Sequence, residues 1–211
     1  MDKTTLILNV LDEMFPNAKA ELNYTNHYEL LVAVILSAQT TDIQVNKVTP
    51  ILFKRYPTVY ELSSAKQEAV EVLINSIGLY KNKAKNIIKM ANQVVTHFDG
   101  IIPSKREDLE SLAGVGRKTS NVILSNLFDT PAIAVDTHVH RVSIRLGLAK
   151  KTDDVYQTEM KLYKIFPKER WTKLHHQLIF FGRYHCTSRN PKCLTCKLYE
   201  VCKYDNKPKK V

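Results

Sequence analysis

The sequence is poor in glycine and contains no long hydrophobic run. Only six of its 211 residues are glycine, and no alternating pattern of useful length indicates a β-strand. The longest apolar run, Leu30 to Leu36, is far too short to cross a bilayer. The N-terminal segment has neither a basic start nor a small-residue cleavage site, so we predict no signal peptide. Secreted and membrane proteins are therefore disfavoured classes.

Cysteine is also scarce, and its distribution is uneven. All four cysteines lie between Cys186 and Cys202, whereas the disulfides of a small secreted protein are usually spread through the chain. Sulfur-only ligation in the spacing Cys186-x6-Cys193-x2-Cys196-x5-Cys202 suits zinc or an iron–sulfur cluster. Zinc ribbons usually carry two CxxC pairs and this chain has one, which favours [4Fe–4S]. Four free thiols are the remaining alternative.

The overall composition is that of a globular protein with a basic excess. Hydrophobic residues make up 44% of the chain and charged residues 25%, which is too apolar for a disordered protein. The 31 Lys and Arg exceed the 21 Asp and Glu, giving a net charge of +10. Such an excess favours a polyanionic partner, with nucleic acid first in line.

Apolar residues recur at helical spacing through most of the chain, which predicts an all-α fold. Proline and glycine mark the short connections between the predicted helices. The predicted helices are Tyr28 to Leu36, Gln67 to Ile74, Lys83 to Val95, Glu107 to Leu112, Lys118 to Leu127, Thr137 to Leu146, Asp154 to Phe166 and Leu174 to Phe181.

The segment LAGVGRKT at 112–119 lies between two of these predicted helices. Two glycines two positions apart allow a tight turn and the close approach of a ligand to the main chain. The following helix begins with free N–H groups at its positive dipole end, a combination that binds phosphate without reading sequence. An ordinary helix–turn–helix connection is the alternative interpretation.

Five segments in order carry a resemblance to a known family. They are LLVAVILSAQTTD, INSIGLYKNKAKNI, LAGVGRKTSNVIL, AIAVDTHVHR and the four-cysteine segment. Together they resemble the endonuclease III family of helix–hairpin–helix DNA glycosylases. The chain departs from that family at Ala113, where proline is frequent, and at His140, where some relatives carry an aromatic residue.

The resemblance implies a bifunctional enzyme that releases oxidised pyrimidines and then cleaves 3′ to the abasic site by β-elimination. Lys118 is the implied nucleophile, forming a Schiff base at C1′. It falls in the first turn of a predicted helix, where the dipole disfavours the ammonium form. Asp136 is the implied carboxylate that stabilises positive charge at C1′, and it is also a good helix N-cap.

The enzyme must take a nucleotide out of the base stack, and another side chain should fill the gap. By resemblance, Gln39 faces the orphaned base and Leu79 is an apolar wedge. From the sequence pattern alone, Leu79 could instead pack in the core and Gln39 could end a helix at the surface. The other implied DNA contacts are Gly114, Gly116, Arg117, Thr119, Arg189 and Lys192.

The resemblance further implies two helical lobes: a six-helix domain over 22–132 and a cluster domain formed by 1–21 with 133–211. The four cysteines hold a structural [4Fe–4S] cluster in it. The expected partner is damaged or abasic duplex DNA, bound by a monomer that is cytoplasmic, nucleoid-associated and not membrane-bound. A monofunctional sister glycosylase and a non-catalytic DNA-binding module are alternatives. Lys118 and the end of the chain at Val211 argue against the first, and Lys118 with Asp136 argues against the second.

Overall fold

The computed structural model describes residues 2–209, and in that range the chain is helical without a β-strand. The all-α prediction is confirmed. A 3₁₀ turn at Lys168–Arg170 precedes the last α-helix and a π-helical turn at Phe181–His185 follows it. The helices are α1 Lys3–Met14, α2 His27–Leu36, α3 Asp42–Arg55, α4 Val59–Ser63, α5 Gln67–Ile74, α6 Tyr80–Phe98, α7 Arg106–Ser111, α8 Arg117–Leu127, α9 Thr137–Arg145, α10 Val155–Ile165 and α11 Trp171–Phe180.

Three helices, α1, α3 and α4, were not among those predicted. Helix α3 carries Pro50 in its interior, a residue that usually indicates a helix break. Helix α4 has only five residues, too few to show a period, and depends on a capping box between Thr58 and Glu61. Helix α1 begins at the N-cap Asp2, whose side chain accepts bonds from the amides of Thr4 and Thr5. Between residues 2 and 209, no helix combines the length and hydropathy of a membrane span.

The chain divides into two compact units, and the unit Glu21–Asp129 contains α2 to α8. Helix α2 is its central element, because every residue from Leu30 to Leu36 is buried. A helix that is apolar on all sides needs neighbours all round it. It packs against α3, α6 and α8, so the helix after the glycine turn rests on the main core.

The other unit combines Met1–Ala20 with Thr130–Val211. Helix α1 packs against α11, and Asp12 of α1 is the polar centre of that contact. Its carboxylate accepts bonds from Arg170 Nη2 at 2.9 Å, Lys173 Nζ at 2.8 Å and Gln177 Nε2 at 2.9 Å. Burial alone would raise the pKa of Asp12, but these bonds outweigh it and lower the pKa to about 2. The two separated segments are thus joined by charge-assisted bonds.

Candidate active site

The turn between α7 and α8 is built around one glycine that no other residue could replace without strain. Gly114 has a φ of +80°, and a Cβ added there would lie 3.1 Å from Ile35 Cγ2 and 3.2 Å from Asn86 Cβ. The left-handed backbone and the close approach to α2 and α6 both require glycine at this position. The turn is therefore fixed against the core of its unit.

Gln93 of α6 holds the same turn from both sides. Its Oε1 accepts the backbone N–H of Ala113 at 2.7 Å, and its Nε2 donates to the carbonyl of Ser111 at 3.1 Å. Proline, which is frequent at the Ala113 position in the family that the sequence resembles, has no N–H to donate. The alanine thus exchanges a rigid ring for a hydrogen bond, a compensation that the sequence alone did not reveal.

A buried hydroxyl joins α7 to α8. Ser120 is fully buried, and its Oγ donates to Glu110 Oε1 at 2.8 Å. Arg106 Nη1 donates to the same Oγ at 3.3 Å and lies 3.4 Å from Glu110 Oε1. Ser120, Arg106 and Gln93 carry no signal in the sequence, because such contacts depend on which helix faces which. Together they fix the direction of α8.

The first turn of α8, by contrast, is open. Gly116 is its N-cap and supplies no capping side chain, and a Cβ built there would meet nothing within 4 Å. The first-turn N–H groups of a helix lack intrahelical acceptors and attract anions. Lys118, in this turn, is exposed, so the partial burial that a base pocket would give is not seen in this structure. Arg117 and Thr119 beside it are half-buried.

Asp136 is the N-cap of α9, in the other unit. Its Oδ1 accepts the amides of His138 and Val139, each at 2.8 Å. The residues directly before it, 132–135, are buried and anchor the chain. Burial lowers the pKa of His138, and the nearby Asp136 charge opposes that shift. Within residues 2–209 no hydrogen bond to Asp136 Oδ2 is found, so one carboxylate oxygen orients the group and the other is available.

Gln39 and Leu79 lie in two neighbouring loops of the unit Glu21–Asp129. Both have left-handed backbones, with φ values of 55° and 58°. Leu79 is 57% exposed, so the alternative that it packs in the core is wrong. A Cβ added to Gly78 would lie 4.0 Å from the carbonyl oxygen of Gln39, which places the two loops side by side.

The four cysteines line one cavity, together with Arg145, His185 and Lys207 among others. All four thiols are half-buried and none forms a disulfide. In the described part of the chain, no three His, Cys, Asp or Glu side chains are grouped as a single metal ion requires. A four-iron cluster binds each thiolate at a different iron, so its ligands stand further apart than those of one ion. Four cysteine side chains around one cavity match the donor set that a [4Fe–4S] cluster takes.

Arg145 holds the loop that follows the first cysteine. It is 8% exposed, and its guanidinium donates to the carbonyls of Thr187 at 2.7 Å and Ser188 at 3.0 Å. It also lies 3.4 Å from the sulfur of Cys186 and packs over the ring of Tyr204. The sequence analysis did not identify Arg145, since an arginine within a helix carries no distinguishing pattern.

Arg189 and Lys192 lie in the same loop, between the first two cysteines, and both are exposed. The backbone of this loop is fixed at its far end as well, because the Lys192 amide donates to the carbonyl of His185 at 3.1 Å. Two cations are thus presented to solvent from a backbone that is bonded near both ends.

Comparison with known proteins identifies close relatives. Residues 32–168 match the family described as HhH-GPD superfamily base excision DNA repair protein. Endonuclease III of Bacillus subtilis is 48% identical over 95% of this chain and 91% of that protein, and endonuclease III of Escherichia coli is 44% identical over 95% of each. The solved structure of a trapped covalent intermediate between an endonuclease III and DNA, with an estranged adenine, superposes with a TM-score of 0.91 at 47% identity over 96% of each chain.

Alanine substitutions at Gly114 and Gly116 should show that the first glycine is required for the fold of the turn and the second is not. We expect Gly114→Ala to lower the free energy of unfolding by about 2 kcal/mol or more, since it adds left-handed strain to a close contact. Gly116→Ala should lower it by no more than about 1 kcal/mol, because only the N-cap preference is lost. Denaturant unfolding measures both, and equal losses would contradict this division.

Proposed function

Since the chain belongs to the endonuclease III family of the HhH-GPD superfamily of base excision DNA repair proteins, we propose that its Lys118 releases oxidised pyrimidines from duplex DNA. The protein is a DNA glycosylase with abasic-site lyase activity. The observation that carries the assignment is the place of Lys118: exposed, in the uncapped first turn of α8, two residues after the unobstructed Gly116.

The lysine chemistry follows from this position. The amine nitrogen forms a bond to C1′ as the glycosidic bond breaks and the base leaves with its electron pair. The C1′–O4′ bond of the sugar ring then breaks, with the ring oxygen taking up the proton that the nitrogen loses, and the iminium ion so formed at C1′ acidifies the C2′ proton. Loss of that proton drives cleavage of the bond between C3′ and its phosphate oxygen, which leaves a strand break 3′ to the abasic site.

Asp136 stabilises the positive charge that develops at C1′ while the base departs. Two backbone amides fix its Oδ1, so the carboxylate is oriented before the substrate arrives. Preorganisation of this kind is effective because the group does not have to reorganise during the reaction.

The partner is DNA, and we assign its contacts to three groups of residues. The first turn of α8, with Gly114, Gly116, Arg117 and Thr119, binds a backbone phosphate. Gln39 and Leu79 occupy the space that the extruded nucleotide leaves. Arg189 and Lys192 bind further phosphates from the loop between the first two cysteines. We propose that a single chain acts on damaged pyrimidines and abasic sites of nucleoid DNA in the cytoplasm.

Cys186, Cys193, Cys196 and Cys202 would hold a [4Fe–4S] cluster in the cavity that they line. Such a cluster supplies a covalent cross-link among four points of a segment that otherwise has little regular structure. Base excision transfers no electrons, so its proposed role is to hold the ligand loop and the two cations on it.

Lys118→Gln should abolish covalent trapping. With wild-type protein, borohydride reduces the imine and gives a slow band on a denaturing gel, with the adduct on Lys118. The glutamine variant should give neither adduct nor base release, yet still bind duplex, because the hairpin backbone is unchanged.

Asp136→Asn should slow base release about 100-fold or more through lost charge stabilisation.

Lys89→Gln, which removes an exposed lysine from α6, serves as the control and should trap like wild type. Release of damaged pyrimidines by Lys118→Gln at the wild-type rate would disprove the nucleophile assignment and favour a glycosylase that uses water.

The cluster proposal predicts a coloured protein. Chain purified without oxygen should absorb visible light and contain about four irons, as a cubane requires. Cys196→Ser should lose iron and soluble yield, because a removed ligand weakens folding, whereas Thr195→Ser next to it should lose neither. Metal analysis that finds one zinc and no iron would contradict the cluster.

Binding to undamaged duplex should weaken steeply as salt rises, because bound phosphates release counterions. Replacing both Arg189 and Lys192 with alanine should reduce the slope of log K against log salt by up to about 2, or about 1 for each phosphate contact. The double variant Lys164→Ala, Lys168→Ala has the same net charge and should keep the wild-type slope. An identical slope in both double variants would refute the contacts.

A further inference from the structure

Two loops of the unit Glu21–Asp129 hold non-glycine residues in a conformation that L-residues rarely adopt. Between residues 2 and 209, only Gln39, Leu79, Asp99 and Asp129 share a positive φ without being glycine. Aspartate tolerates this region better than most residues, whereas leucine and glutamine do not. Each such residue is strained by about 1–3 kcal/mol and persists only where its surroundings fix it.

One residue contacts both the loop that contains Gln39 and the loop that contains Leu79. The backbone N–H of Lys83, in the first turn of α6, donates to the carbonyl of Leu79 at 3.0 Å. Its ammonium reaches across to the other loop and donates to Thr40 Oγ1 at 2.6 Å. Thr40 directly follows Gln39, so Lys83 links the backbone of one strained position to the neighbour of the other.

A second bond spans the same two loops. Gln44 of α3 donates from Nε2 to Ser76 Oγ at 3.2 Å, near the start of the loop that contains Leu79. The loops are therefore joined at two points, while the side chains of Gln39 and Leu79 remain exposed.

Lys83 is an unusual choice for a purely structural contact. The residue is only 4% exposed, and desolvation lowers its pKa because burial disfavours the charged form. A hydroxyl compensates a buried ammonium less well than a carboxylate does, and an apolar side chain of similar length would often pack at least as stably. A role in orienting the two loops would account for a lysine at this position.

We propose that Lys83, through its bond to Thr40, is a positioning residue that holds Gln39 and Leu79 at a fixed separation so that both enter an opened duplex together. The inference rests on the proposed function, since it takes these two side chains as the groups that fill the lesion site. Without the bond both side chains remain, but only the Gln44–Ser76 bond still joins the two loops, so their separation is less tightly fixed.

The test removes the bond from either end and measures base release in single turnovers at saturating enzyme. Thr40→Val replaces the hydroxyl with a methyl group, and Lys83→Met removes the ammonium but keeps most of the stem. Each should slow base release about tenfold, the effect of one hydrogen bond to a charged group. The double variant should be no slower than either single one, because the same bond is lost.

Conservative and matched variants separate positioning from folding. Thr40→Ser keeps the acceptor and should retain the wild-type rate. Lys85→Met removes an exposed lysine from the same helix and should also retain it. Thermal unfolding of Lys83→Met should occur at the wild-type temperature or above, since a buried charge is removed.

A mutant cycle measures the coupling between Gln39 and Leu79 in base release, which a purely structural role of Lys83 would leave unchanged. In the wild-type background, the effects of Gln39→Ala and Leu79→Ala on base release should be coupled, so that their combined effect differs from the product of the two. In the Thr40→Val background the coupling should be smaller than in the wild-type background. Fluorescence of 2-aminopurine placed opposite a stable abasic analogue should likewise rise less with Thr40→Val than with wild type.

The possible failures are distinguishable. A wild-type chain that releases no damaged pyrimidine would overturn the proposed function and this inference with it. An active wild type whose Thr40→Val and Lys83→Met variants keep both the rate and the coupling would overturn the positioning role alone.

Discussion

The N-terminal end of α8 must be rigid and yet uncovered, and much of the unit around it meets that constraint. A phosphate or a reacting sugar requires main-chain N–H groups that no protein side chain already occupies. The usual stabiliser of a helix start, a capping side chain, is therefore absent at Gly116. The rigidity that a capping side chain would give comes instead from the Gly114 turn, which packs against α2 and α6, and from the two hydrogen bonds of Gln93.

The same arrangement recurs at Asp136 and at the paired loops. Asp136 uses one carboxylate oxygen to cap α9 and leaves the other available. At the loops, Lys83 and Gln44 make the joining bonds, while the side chains of Gln39 and Leu79 are exposed. In each case the groups that hold the site are different atoms from the groups proposed to act, so orientation is achieved without blocking the surface.

The sequence predicted the elements that carry a strong local signal. Helix α5 has the predicted bounds, and α8 and α9 begin within one residue of the predicted starts, because apolar period and glycine or aspartate caps are local features. Helix α3 was missed since Pro50 indicated a break, although an exposed proline is accommodated there. The supporting residues Gln93, Ser120, Arg145 and Lys83 were also missed, because each acts on a partner from another element. Motifs in the sequence therefore predicted the candidate catalytic and binding residues. The residues that hold them in place depend on how the helices pack, which no motif records.

The pairing of α1 with α11 has a consequence for how the protein is made. Because synthesis proceeds from the N-terminus, α1 leaves the ribosome first, while the partners of Asp12 on α11 and the 3₁₀ turn before it emerge after most of the chain. The contiguous unit Glu21–Asp129 is complete well before them and can fold during translation. Until then, the apolar face of α1, with Ile7, Val10 and Leu11, has no permanent partner. A nascent chain stalled before α11 therefore leaves these apolar side chains of α1 without their α11 partners.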